Sequence, residues 1–124
     1  MAHQDLINQE MRNCIKTCRD CSEICLETIA HCLEMAEEHS GREHISLLQV
    51  CADVCDTSAR AMLLGSEVHQ KVCEACAEVC KACAESCDQF DDELMDECAR
   101  LCRDCAESCE EMGSSSRKSY EAAV

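Results

Sequence analysis

The sequence predicts an all-α chain folded as an antiparallel up-down-up-down four-helix bundle with a Cys-lined core. Two observations carry that expectation. The 124 residues contain no Pro and only three Gly, so almost nothing in the chain interrupts a helix. The sixteen Cys recur at alternating steps of three and four, as in CEACAEVCKACAESC from position 73 to 87. A mean period of 3.5 is the seam of helices packed nearly parallel or antiparallel, whereas strands would need period 2.

Extending the alternating step defines four stripes, one per helix. The first, over roughly 4 to 39, holds Ile7, Met11, Cys14, Cys18, Cys21, Cys25, Thr28, Cys32, Met35 and His39. The second, over 42 to 63, holds His44, Leu48, Cys51, Cys55, Ser58 and Met62. The third, over 67 to 88, holds His69, Cys73, Cys76, Cys80, Cys83 and Cys87, with Phe90 just beyond it. The fourth, over 92 to 112, holds Met95, Cys98, Cys102, Cys105, Cys109 and Met112.

Stop signals separate the stripes at Ser40-Gly41, Gly65-Ser66, the acidic run from Asp88 to Asp92, and Gly113 with the three Ser after it. Gly suits the left-handed position after a helix, and Ser66 and Asp91 are placed to cap the helices that follow. Links this short make successive helices antiparallel. A chain of this length makes one domain, a bundle over 1–112, followed by a short tail over 113–124 that is either frayed or a short extra helix.

Charge and composition exclude several classes of function. The formal net charge of −15 repels nucleic acid and anionic membrane surfaces. The start MAHQDLINQEMRN has no apolar leader segment, and no apolar run reaches membrane-spanning length, which reads as a cytoplasmic protein. Thiols stay reduced there, so a disulfide scaffold is not the expected use of the Cys residues. Faces opposite the stripes are charged, with Arg100 to Asp104 and Arg103 to Glu107 at pairing distance. A second apolar row, Val68, Val72, Ala75, Val79 and Ala82, either flanks the core or buries a subunit contact.

The chemistry lies in the stripes. Seven pairs have C-x-x-x-C spacing: 14/18, 21/25, 51/55, 76/80, 83/87, 98/102 and 105/109. On a helix such residues have Cβ atoms roughly 5 to 6 Å apart, too far for a disulfide, which wants about 3.8 Å. A sulfur–metal–sulfur bridge spans the gap more easily. Thiolates select soft ions, Cu(I) first. Zinc knuckles sit on turns, but the C-x-x-C pairs here lie inside helices. The ferredoxin loop with its Pro is absent. Because each thiolate can bridge two ions, a tube of sulfur could hold on the order of one Cu(I) per Cys, and each arriving cation replaces a proton.

An antiparallel bundle gathers Met35, His39, His44 and Met95 at one mouth, where weaker thioether and imidazole ligands suit transient passage of metal. The other end, with Ile7, Met11, Met62 and Met112, reads as a plug, with His69 beside it. His31 lies off the stripe and reads as a surface residue. Thr28 and Ser58 occupy inward positions, their hydroxyls expected to bond back to helix carbonyls.

Repeated C-x-x-x-C pairs pointing into a four-helix bundle resemble the bacterial copper storage proteins, over nearly the whole chain from Cys14 to Cys109. The resemblance implies Cu(I) as cargo, admission through a Met- and His-lined mouth, a tetramer of bundles and the cytosolic branch of the group. One departure is local. Cytosolic members carry His near the start of the last helix, where DDELMDEC offers acids and Met95. The combined expectation is a non-enzymatic store of multiple Cu(I) ions. Its rivals are a Zn or Cd thiolate buffer, an iron–sulfur electron carrier and a thiol redox switch.

Overall fold

The computed structural model describes residues 7–35, 39 and 41–123, with side chains through Gly113. Four helices account for nearly all of it: α1 (Gln9–Glu34), α2 (Arg42–Leu64), α3 (His69–Cys87) and α4 (Glu93–Ala123). Each helix packs against its chain neighbours and α4 closes the ring on α1, while the diagonal pairs α1/α3 and α2/α4 meet only through side chains across the core. This is the expected four-helix ring around a single axial core.

Helix ends follow local hydrogen bonding, and several differ from the sequence expectation. The Asn8 side chain accepts the Met11 N–H at 2.8 Å and starts α1, later than the expected residue 4, which itself lies outside the described residues. α1 stops at Glu34 rather than 39, because the backbone turns extended at Met35 with ψ −173°. His39 therefore lies in the connection to α2 rather than on the first helix. α2 ends as expected at Gly65, whose φ of 66° is left-handed. The Gly65 N–H bonds Met62 O at 3.1 Å and the Ser66 N–H bonds Ala61 O at 3.0 Å, a two-bond closure that only Gly makes without strain.

Ser66 does not cap α3 directly. Its hydroxyl accepts the Val68 N–H at 3.3 Å within the turn, and α3 opens after Val68 with no side-chain cap. Asp92, not Asp91, caps α4: its Oδ1 accepts the Met95 N–H at 3.0 Å. Gly113 is not a stop signal, since α4 runs through it. A Cβ there would stand 3.0 Å from Glu74 Cγ and 3.4 Å from the Gln70 carbonyl, so this Gly serves the close approach of α4 to α3.

Every one of the sixteen thiols is inside the bundle with no exposed surface. Ala52, Ala59, Ala77, Ala84, Ala99 and Ala106 flank them, small side chains that let the helices draw together around sulfur. Ile7, Met62 and Met112 close one end as expected. Leu48 and Met95 are fully buried toward the other. Outside, Arg100 pairs with Asp104 at 3.9 Å and Glu97 at 3.7 Å. Arg103 reaches across to Asp88 on the α3 side rather than to Glu107, an exposed pair of small energetic weight.

Candidate metal centre

The four seams place their sulfurs within reach of one another along the whole axis. Toward the closed end, Cys109 lies 3.9 Å from Cys14 and 3.5 Å from Cys18, and Cys105 lies 3.7 Å from Cys18. In the middle, Cys55 is 3.6 Å from both Cys76 and Cys80 and 3.8 Å from Cys105. One level on, Cys51 is 3.7 Å from Cys80 and 4.0 Å from Cys21 and Cys102. Cys25 then meets Cys98 at 4.0 Å. The C-x-x-x-C pairs 76/80 and 105/109 span 3.8 and 3.9 Å.

These gaps decide between chemistries. A disulfide needs about 2.05 Å, and all sixteen Cys are free. A metal–thiolate bond of about 2.3 Å gives sulfur–sulfur edges of about 3.8 Å at a tetrahedral ion and about 4.0 Å at a trigonal one. The lattice therefore matches a metal-filled geometry with little movement. Four sets of four thiols lie mutually within 4.8 Å: 18/76/105/109, 21/55/80/105, 21/25/51/102 and 25/83/98/102. Cys21, Cys25, Cys102 and Cys105 each belong to two sets, which is the arrangement of bridging ligands. Cys14, Cys73, Cys87 and Cys32 fall outside the sets, toward the two ends.

Proton affinity varies along the lattice. Burial, with the nearby Asp92 charge, pushes Cys32 up to about 11. Cys109 pulls Cys73 down, but Cys14 and burial outweigh it and leave Cys73 at about 12. Hydrogen bonding with Cys102 brings Cys21 down to about 7. Protons are thus shared among neighbouring sulfurs, and each arriving cation displaces one.

At the open end the residues divide. Met95 is fully buried, its sulfur 3.9 Å from Cys32 Sγ and 3.3 Å from His44 Nε2. Ser86 Oγ sits 2.7 Å from His44 Nδ1 and holds the ring toward Met95. Burial keeps the His44 pKa low, so its ring stays neutral and able to ligate. A cavity of about 410 Å³ beside His44, lined by Glu43, Leu47, Glu85, Ser86 and Phe90, opens to solvent. His39 is buried, its ring centre 4.8 Å from that of Phe90, which lies 4.7 Å from His44. Met35 does not join them. It is 45% exposed, turned away where α1 ends.

Sequence reasoning missed Ser86, and it read His31 as a surface residue. His31 is in fact half-buried, its Nε2 2.8 Å from Asp92 Oδ2. Neither lies on a stripe, so only the helix order brings them to the mouth. The inward hydroxyls also differ from each other: Thr28 bonds Ile24 O at 2.7 Å as expected, whereas Ser58 Oγ is buried without a partner among the described residues. His69 bonds the Ser66 carbonyl through Nδ1 at 2.9 Å.

The fold has known counterparts. A crystal structure of the Nitrosospira multiformis protein Nmul_A1745 is 44% identical, with a TM-score of 0.82 over 86% of this chain and 96% of that one. Cu(I)-bound copper storage protein BsCsp3 is 34% identical, with a TM-score of 0.80 over 85% of this chain and 99% of that one. The apo form of Bacillus subtilis copper storage protein 3 gives 35% and 0.77 over 82% and 97%. An uncharacterized cysteine-rich protein of Bacillus subtilis, YhjQ, is 33% identical over 85 residues, 68% of this chain and 79% of its own length. A family model for copper storage proteins matches residues 7–114. Because that match spans the bundle from the plug residue Ile7 past the last thiol, the chain belongs to the copper storage protein family.

Proposed function

We propose that this chain stores multiple Cu(I) ions in the cytosol, bound to its sixteen Cys thiolates inside the bundle, with no catalytic role. The observation that carries the reading is the run of sulfur–sulfur gaps of 3.5 to 4.0 Å from Cys14 and Cys109 to Cys51 and Cys102, which the four-thiol sets within 4.8 Å extend to Cys25 and Cys98. Two- and three-coordinate Cu(I) bridged by thiolates fits it, and one cation per thiolate leaves the dry core nearly neutral. His44 and Met95 then form the way in, passing copper to Cys32, with His39 behind Phe90 at the rim. Met35, being exposed, is left out of that path.

Zinc is the second reading, favoured by the four-thiol sets, which resemble tetrahedral sites. Against it stands charge. Zn(II) on four thiolates carries two net negative charges into a buried core, which the surrounding Ala residues do not offset. The iron–sulfur reading lacks the compact Cys loop with its Pro that ferredoxin-type clusters use.

Association of bundles into a tetramer belongs to the same reading. An open apolar groove of about 500 Å³ between α2 and α3, lined by Val50, Val54, Val72 and Ala75, is the surface that supports it. Among the described residues no helix is long and apolar enough to cross a membrane.

The test is an anaerobic titration of reduced protein with Cu(I) against a chromophoric chelator, repeated with Zn(II). Uptake of about ten or more Cu(I) per chain, with Zn far weaker, is expected. Saturation at a few ions, or preference for Zn, would sink the proposal.

A further inference from the structure

His31, His39 and Asp92 form a cluster at the mouth that the thiol lattice does not use. Their ligand atoms all lie within 4.8 Å of one another. They come from three parts of the fold: the last turns of α1, the connection to α2, and the cap of α4. His39 is only 8% exposed, and its Nδ1 has no hydrogen-bond partner among the described residues. A buried imidazole nitrogen left unpaired is unfavourable unless something fills its place. Phe90, packed against both His39 and His44, stands between those two imidazoles.

The donor set differs in kind from the core. Two imidazoles and one carboxylate suit a borderline divalent ion, whereas Cu(I) prefers the sulfur a few ångströms deeper. We propose that His31, His39 and Asp92 form a second metal site, for a single divalent cation of the Zn(II) class.

Geometry and charge agree. A tetrahedral ion with bonds of about 2.1 Å separates its ligand atoms by about 3.4 Å. The His31–Asp92 pair at 2.8 Å needs to open by about 0.6 Å, and His39 already lies within 4.8 Å of both. Asp92 is already oriented, since its Oδ1 is held by the Met95 N–H while Oδ2 faces His31. Three protein ligands leave a fourth position for water, and a net charge of −15 favours arrival of cations. Binding would tie the end of α1, the connection and the start of α4 to one point.

The site is testable without reference to copper storage. Protein saturated with Cu(I) anaerobically and desalted is titrated with Co(II), the spectroscopic probe for this class of ion. One further Co(II) per chain is expected, with a ligand-field spectrum free of thiolate charge-transfer bands. Affinity should fall at least about tenfold in His31→Gln, His39→Gln and Asp92→Asn; the last retains an oxygen to cap α4, which guards against mere unfolding. Absence of Co(II) uptake, a thiolate charge-transfer spectrum, or uptake unchanged in His39→Gln would overturn the site. Copper content is read before Co(II) is added, so a failure of the storage reading shows separately, and the spectrum still tells nitrogen and oxygen ligands from sulfur.

Discussion

Cys18 of α1 and Cys109 of α4 face each other with sulfurs 3.5 Å apart, although 91 residues separate them in the chain. Cys109 also touches Cys14 and Cys105, so it is a shared node. Cys109→Ser is expected to lower Cu(I) capacity by a few ions while leaving the rest of the lattice able to fill. Mass spectrometry of the loaded protein under native conditions reads the count; complete loss of binding from this one change would argue for a single closed cluster instead.

Metal that binds only the folded bundle must stabilise it. At a free concentration of one hundred times Kd, each independent site adds about 2.7 kcal/mol, which for a chain of this size moves Tm by on the order of 10 °C. Anaerobic calorimetry of apo and Cu(I)-loaded protein should therefore show a large upward shift. Coincident melting curves would mean the metal sits outside the core.

Alkali should weaken the apo bundle. Cys32, held near 11, keeps its proton in the folded state longer than an unfolded thiol at about 8.5. The folded form binds more protons in that interval, so stability falls as pH rises from about 8.5 toward 11 and is at its full value below that window. Cu(I) affinity moves the other way, rising with pH because each ion displaces a proton. Chemical denaturation from pH 7 to 10, beside chelator competition over the same range, would reveal both signs.

His44 and Met95 should govern rate more than capacity. Met95→Leu preserves buried volume and is expected to slow Cu(I) uptake in stopped-flow measurements with the final stoichiometry nearly unchanged. Met95→Ala adds a cavity and destabilises by about 2–5 kcal/mol, so only the Leu variant separates ligation from packing. Equal uptake rates in Met95→Leu, His44→Gln and the unmodified chain would remove both residues from the path.

The groove between α2 and α3 gives a prediction about assembly. Val72→Glu places a charge among Val50, Val54 and Ala75 and should shift the chain to monomers in sedimentation experiments, with Cu(I) capacity retained. Monomeric behaviour of the unmodified chain would end the tetramer reading.

The seams could be read before any coordinates because a 3.5-residue repeat of Cys specifies at once the helix, its buried face and its left-handed packing. The plug at Met62 and Met112 followed from the same phase. What lay beyond reading was set by contacts between distant helix ends. His31 is one position off its seam, and only the closing of α4 onto α1 brings Asp92 to it across 61 residues. Likewise Gly113 carries the sequence mark of a terminator, yet it answers to Glu74 on the neighbouring helix, a constraint no local pattern contains. Met35 kept the phase of its seam but not the helix, since α1 unwinds before it.

A core made of one repeated side chain has a further consequence. Sliding α1, α3 or α4 by seven residues would set Cys against Cys again over part of its seam, so the thiols of those helices only weakly distinguish the native alignment from a shifted one. That distinction rests on the exceptions: Thr28, Ser58, Leu48, Met62, Met95 and Met112, all buried and all different in size or polarity from the thiols beside them. The residues that hold no copper in the proposed lattice are therefore the ones that tell the chain which bundle to become.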